Sequence, residues 1–178
     1  MLTKLIHGVF LAVIALTCCT ASAQTRFGLS PEAFAVYQRW VLSTCVEGDE
    51  LALAADLRAH ASELGPAFIK AIREGPLARE VRDVEAAASL MYDRRSKFPL
   101  DEVPVTGVTR ADVERFRSLS RAMFVQDQVR RFTTGYRANA VAALGILDDA
   151  ASDAALRRIA RNMRDPLAPA AREALRKR

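Results

Sequence analysis

Apolar positions recur at steps of three and four along most of this chain, the spacing of helices that bury one stripe. Phe34, Tyr37, Val41 and Cys45 follow steps of three, four and four. Val81, Val84, Ala88 and Met91 form a second stripe, and Val113, Phe116, Leu119 or Ser120, and Met123 a third. Leu156, Ile159, Ala160 and Met163 form a fourth. Alternation of the strand type is missing except briefly at 103–108, beside Pro99 and Pro104. The pattern predicts an all-α protein.

Helix punctuation supplies the boundaries. Ser30 is a good N-cap, Pro31 suits the first helical position and Glu32 complements the dipole, so a helix runs from there to about residue 44. A second helix is expected over 49–64, stopped by Gly65-Pro66, and a short third up to Gly75-Pro76. A fourth covers 76–96. Pro99, Pro104 and Gly107 then break the pattern over 98–108. Thr109, with Asp112 three residues on, caps a long fifth helix reaching about residue 133, which Gly135 ends or kinks. Three shorter helices follow, at about 136–147, 152–163, and from Pro166 or Pro169 to 177.

The first 23 residues change the picture. Lys4 precedes a 12-residue run over 5–16 that is apolar apart from His7 and Gly8, and Ala21-Ser22-Ala23 follows. Charged, apolar and small-residue regions in that order read as a secretory signal cleaved after Ala23. The run is short of the roughly 20 residues that span a bilayer. Cys19 is a weaker match to a lipid-attachment site, because Cys18 stands where such a site prefers another residue. The expected product is a periplasmic or secreted domain, residues 24–178, with no transmembrane helix. It divides into N-terminal helices (24–97), the Pro-rich connection (98–108), the long helix (109–135) and a C-terminal region (136–178). About 155 residues suffice for one core. Only Cys45 remains after cleavage, so internal disulfides cannot hold the fold. Cys45 is either buried on its helix face or paired outside the chain.

Charge is unevenly spread. Residues 24–109 carry 10 Lys and Arg against 13 Asp and Glu, net −3, whereas 110–178 carry 15 against 8, net +7. Basic surface attracts anionic partners. For an exported chain these are a protein or an anionic envelope component, and export argues against nucleic acid. Arg157, Arg161 and Arg164 follow one another at steps of four and three beside the apolar stripe of their helix, with Arg158 further round. With Arg130, Arg131 and Arg137 they are the candidate binding residues, suited to bidentate contacts with phosphate or carboxylate.

The C-terminal region repeats itself. Ala140, Ala143 and Leu144 align with Ala171, Ala174 and Leu175 at an offset of 31 residues, a period typical of solenoids. The run from Arg137 to Asp148 reads Arg-x-x-Ala-x-x-Ala-Leu-Gly-x-Leu-Asp, with Ala155-Leu156 and Asp165 downstream. It resembles the bacterial HEAT-like repeat of the kind first noted in phycobilin lyases. The stretch 63–81 resembles part of another such unit, and together the matches cover less than half of the mature chain. The resemblance implies antiparallel helix pairs, as a short solenoid or a compact helical domain, and a scaffold that binds other molecules. It carries no catalytic residue.

Catalytic constellations are not found. His60 alone remains after cleavage, which leaves no Ser-His-Asp or Cys-His set and no zinc site. Neither a metal nor a cofactor is expected. Asp148-Asp149 suits helix capping, and Asp101-Glu102 lies in the Pro-rich break. Phe34, Tyr37 and Trp40 fit a core helix better than a ligand groove. An exported interaction or scaffold protein is therefore the expected function. The alternative is a carboxylate-dependent enzyme, or an enzyme accessory, acting on an envelope substrate.

Overall fold

The computed structural model describes residues 26–42, 50–97 and 110–178. The signal, Cys19, Cys45 and the Pro-rich connection with Asp101-Glu102 lie outside them. The described part is all-α: eight helices follow a short 3-10 turn at Arg26–Gly28, with no strand among the described residues. They are α1 (Pro31–Val41), α2 (Glu50–Ala59), α3 (Ala61–Glu74) and α4 (Ala78–Lys97). Then come α5 (Arg110–Ser118), α6 (Arg121–Ile146), α7 (Ala150–Arg161) and α8 (Ala168–Arg176). No helix among the described residues is long and apolar enough to cross a membrane.

α6 is the central element. Its 26 residues extend about 39 Å at 1.5 Å per residue. Its C-terminal half buries Tyr136, Ala140, Val141, Ala143 and Leu144 in the main core, against side chains from α1, α2, α3, α7 and α8. Its N-terminal half lies along α4, which contributes only Ala88 to the buried set. There Tyr92, Phe116 and Phe124 make a separate aromatic cluster, with centroids 5.2 to 5.7 Å apart.

Several expected caps are present. The Ser30 hydroxyl accepts the Ala33 N–H at 3.3 Å, and Ser30 also binds the Glu63 carboxylate, which ties α1 to α3. Asp149 accepts the Ser152 N–H at 2.8 Å and so caps α7. Gly75 ends α3 at φ 74°, a conformation suited to glycine.

Several boundaries differ from the expectation. α3 runs through Gly65-Pro66, and the chain breaks at His60 instead. Gly65 has no Cβ to clash with the proline ring, so it stays helical before Pro66. An internal proline costs about 3 kcal/mol. Burial of Leu64, Phe68 and Ala71 on the same helix outweighs that. The expected long helix is split at Leu119-Ser120, where Ser120 becomes the N-cap of α6 and accepts the Met123 N–H at 3.2 Å. The restart shifts the buried face, so Phe124 is buried and Met123 is exposed. Gly135 neither ends nor kinks α6. A glycine costs a helix only about 1 kcal/mol, too little to stop one anchored by five buried side chains in the next three turns.

Candidate functional site

The six arginines singled out from the sequence do not converge. Arg130 and Arg131 both bind Asp127 on their own helix, Arg131 at 2.7 Å. Arg157 binds Asp153 at 2.7 Å. Arg161 and Arg164 are exposed. α7 ends at Arg161, so Met163 lies in the following turn at 76% exposure and does not belong to the buried stripe.

Arg137 has a different setting. It lines a cleft of about 610 Å³ where α3, α6, α7 and the α7–α8 connection meet. Arg73 from α3 and Arg158 from α7 line the same cleft, together with Thr133, Thr134 and Asn162. Its apolar lining is Ile69, Ile72, Ala155, Ile159, Pro166 and Leu167.

Each helix sets its arginine by the face it must bury. On α7, Leu156 and Ile159 are buried, which turns the neighbouring Arg158 to the cleft's edge while Arg157 points to Asp153. On α6, burial of Tyr136 and Ala140 places Thr133 and Arg137 at the border of the core. Arg137 packs on Gly75: a Cβ there would stand 3.2 Å from Nη2 and 3.3 Å from Nε. Any side chain at 75 would therefore push this guanidinium aside.

The electrostatics of the cleft are one-sided. Among the described residues, Arg73, Arg137 and Arg158 have no ion-pair or hydrogen-bond partner, and the Nε of Arg137 is buried without an acceptor. An unsatisfied buried donor of this kind is unfavourable by about 1–3 kcal/mol. Asp165 is the acidic residue of the lining, and its Oδ1 already accepts the Leu167 N–H at 2.9 Å. Three guanidinium groups bordering one concavity with a single carboxylate focus positive potential into it.

The other sequence candidates have structural roles. Trp40 is half-buried and donates from Nε1 to the Asn139 carbonyl at 2.6 Å. Tyr37 is in the core, stacked on Phe68 and Phe34. His60 stands at the α2–α3 break and Asp148 is exposed. No group of three metal-ligating side chains occurs among the described residues. The displaced carboxyl pKa values all move down: Glu63 through hydrogen bonds from Ser30, and Asp93, Asp127, Asp153 and Glu173 through their arginine partners.

Sequence reasoning missed Arg73 and set Arg158 aside. The available signal was the apolar stripe on α7, which put Arg158 next to Ile159. Nothing local linked Arg73 to it. No family model, curated protein or solved structure matches the chain.

Proposed function

We propose that the protein is an exported interaction protein whose cleft between α3, α6 and α7 captures an anionic group on a protein or envelope component. The observation that carries this reading is the set of three arginines around one cleft with no counter-charge from the described residues beyond Asp165. Charge-assisted, bidentate contacts to phosphate or carboxylate are the chemistry such a set supplies. The helix pairs of the C-terminal region, with their resemblance to HEAT-like repeats, support a scaffold role.

The test compares two triple variants in capture from the cell envelope. Arg73, Arg137 and Arg158 changed to Gln should abolish capture, and Arg157, Arg161 and Arg164 changed to Gln should leave most of it. Wild-type capture should weaken as salt rises, because screening acts within about 8 Å at physiological ionic strength. Equal capture by the wild type and the first variant would remove the cleft from the reading.

A further inference from the structure

The cleft is apolar as well as basic. In its lining Ile159 and Leu167 are almost fully buried, and Ile69 and Ile72 are half-buried. Arg73 and Arg158 are exposed, and Arg137 is half-buried. The volume, about 610 Å³, falls in the range of small-molecule sites, roughly 300–1,000 Å³. A water occupies about 30 Å³, so a bare anion a few times that size leaves most of the space to solvent against isoleucine.

We infer that the cleft binds a phosphomonoester carried on a short apolar chain or ring. The inference rests on the anion-binding reading above and adds the class of ligand. Charge selects the head group: three arginines less Asp165 leave two positive charges, and a phosphomonoester carries about −1.5 to −2 at neutral pH. Arg137, held against Gly75, presents a guanidinium that no described residue occupies. The hydroxyls of Thr133 and Thr134 have no described partner either and supply neutral donors next to it. The apolar part of the ligand lies on Ile69, Ile72, Ile159 and Leu167. Each methylene removed from water there tightens binding by about four-fold.

Calorimetry of the exported protein with hexyl phosphate, hexanoate and inorganic phosphate, at one low ionic strength, tests the inference. Hexyl phosphate should bind at least about ten-fold tighter than inorganic phosphate, the effect of two buried methylenes. It should also bind more tightly than hexanoate, whose single charge leaves one arginine uncompensated. Arg158→Gln and Arg73→Gln alter exposed side chains and so leave the fold intact; each should weaken both phosphates. Ile72→Thr should reduce the advantage of hexyl phosphate and leave inorganic phosphate unchanged. Vesicles with phosphatidic acid distinguish the source of the group. Sedimentation that hexyl phosphate competes away places it on a lipid, and no sedimentation places it on a soluble molecule. Equal affinity for hexyl and inorganic phosphate would overturn the inference and leave the anion site standing. Hexanoate binding as tightly as hexyl phosphate would overturn the choice of head group. No binding of any probe would overturn both the inference and the cleft as an anion site.

Discussion

Arg26 is an arginine with 9% of its side chain exposed, and its surroundings explain how that is tolerated. Nη1 donates to the Tyr136 hydroxyl and Nη2 to the Gly75 carbonyl, both at 2.6 Å, while Glu80 lies 3.5 Å away. The guanidinium also rests over the Phe27 ring, 4.5 Å from its centroid. The Tyr136 hydroxyl in turn shares a 2.5 Å hydrogen bond with that of Tyr37. Burial raises both phenols above the usual tyrosine range, and for Tyr37 the Tyr136 hydrogen bond adds to it. Tyr37→Phe should lower stability by about 1–2 kcal/mol, because Tyr136 keeps Arg26 as a partner. The pH response follows from the raised pKa values. Above about pH 10 the unfolded chain releases phenol protons that the folded chain retains. The contribution is therefore complete below that pH, and stability declines above it by up to about 1.4 kcal/mol per pH unit for each tyrosine. Urea midpoints measured upward from about pH 9 should show this decline, shallower in Tyr37→Phe; an equal slope in both would exclude Tyr37 as its source.

At the scale of the element, α6 contains two glycines in opposite settings. A Cβ built on Gly145 would lie 2.8 Å from the Cβ of Ala174 and 3.4 Å from its Cα, so α6 and α8 touch at this point. A Cβ on Gly135 meets nothing within 4 Å. Alanine gains about 1 kcal/mol over glycine in a helix interior. At Gly135 that gain stands alone, so Gly135→Ala should stabilise by about 0.5–1 kcal/mol. At Gly145 the overlap is with a rigid methyl group and backbone, and overpacking costs about 1–3 kcal/mol. Gly145→Ala should therefore be net destabilising. Thermal melts of the two variants check the opposite signs, and two shifts in the same direction would contradict the α6–α8 contact. The same contact region is clamped by Arg178, which donates to the carbonyls of Leu144, Gly145 and Leu147 and approaches Asp153. The chain thus returns along α8 to the last turn of α6, where cationic side chains suit exposed carbonyls.

For the whole molecule, much of the basic charge of the C-terminal region is matched locally. Asp127 serves Arg130 and Arg131, Asp153 serves Arg157 and Arg178, and Glu173 serves Arg176 and Lys177. Asp93 is tied to Arg121 across α4 and α6, and Glu63 to Ser30 across α1 and α3. These partners hold all five carboxyls below their usual range. The unfolded chain takes up protons near pH 4, before the folded chain does. Their contribution is thus present above about pH 4 and is lost as pH falls through the lower folded values. The midpoint of thermal unfolding should be level from about pH 7 to pH 5 and fall below pH 4. Because the pairs are exposed, added salt should flatten the fall. An acid limb of unchanged steepness in high salt would count against these pairs as its origin.

Helical class, the caps at Ser30 and Asp149, the stop at Gly75 and the range of α4 were all legible in the sequence. Each depends on groups within about one turn of one another, and spacing along the chain reports such contacts directly. The burial of Ala140, Ala143 and Leu144, and of Ala171 and Ala174 at the matching positions, follows from the same periodicity. Tertiary structure alone decided the rest. Pro66 and Gly135 stay inside helices because flanking side chains of the same helices are buried in the core, and Ser120 starts a new helix where the sequence pattern runs on unbroken. Arg26 meets Tyr136 across 110 residues. Arg157 and Arg158 are adjacent, yet successive residues diverge by about 100° around a helix. One reaches a carboxylate on its own helix, the other a cleft built with α3 and α6. Which arginine of a basic run faces a cleft depends on where the neighbouring helices pack, and spacing within one helix does not encode that.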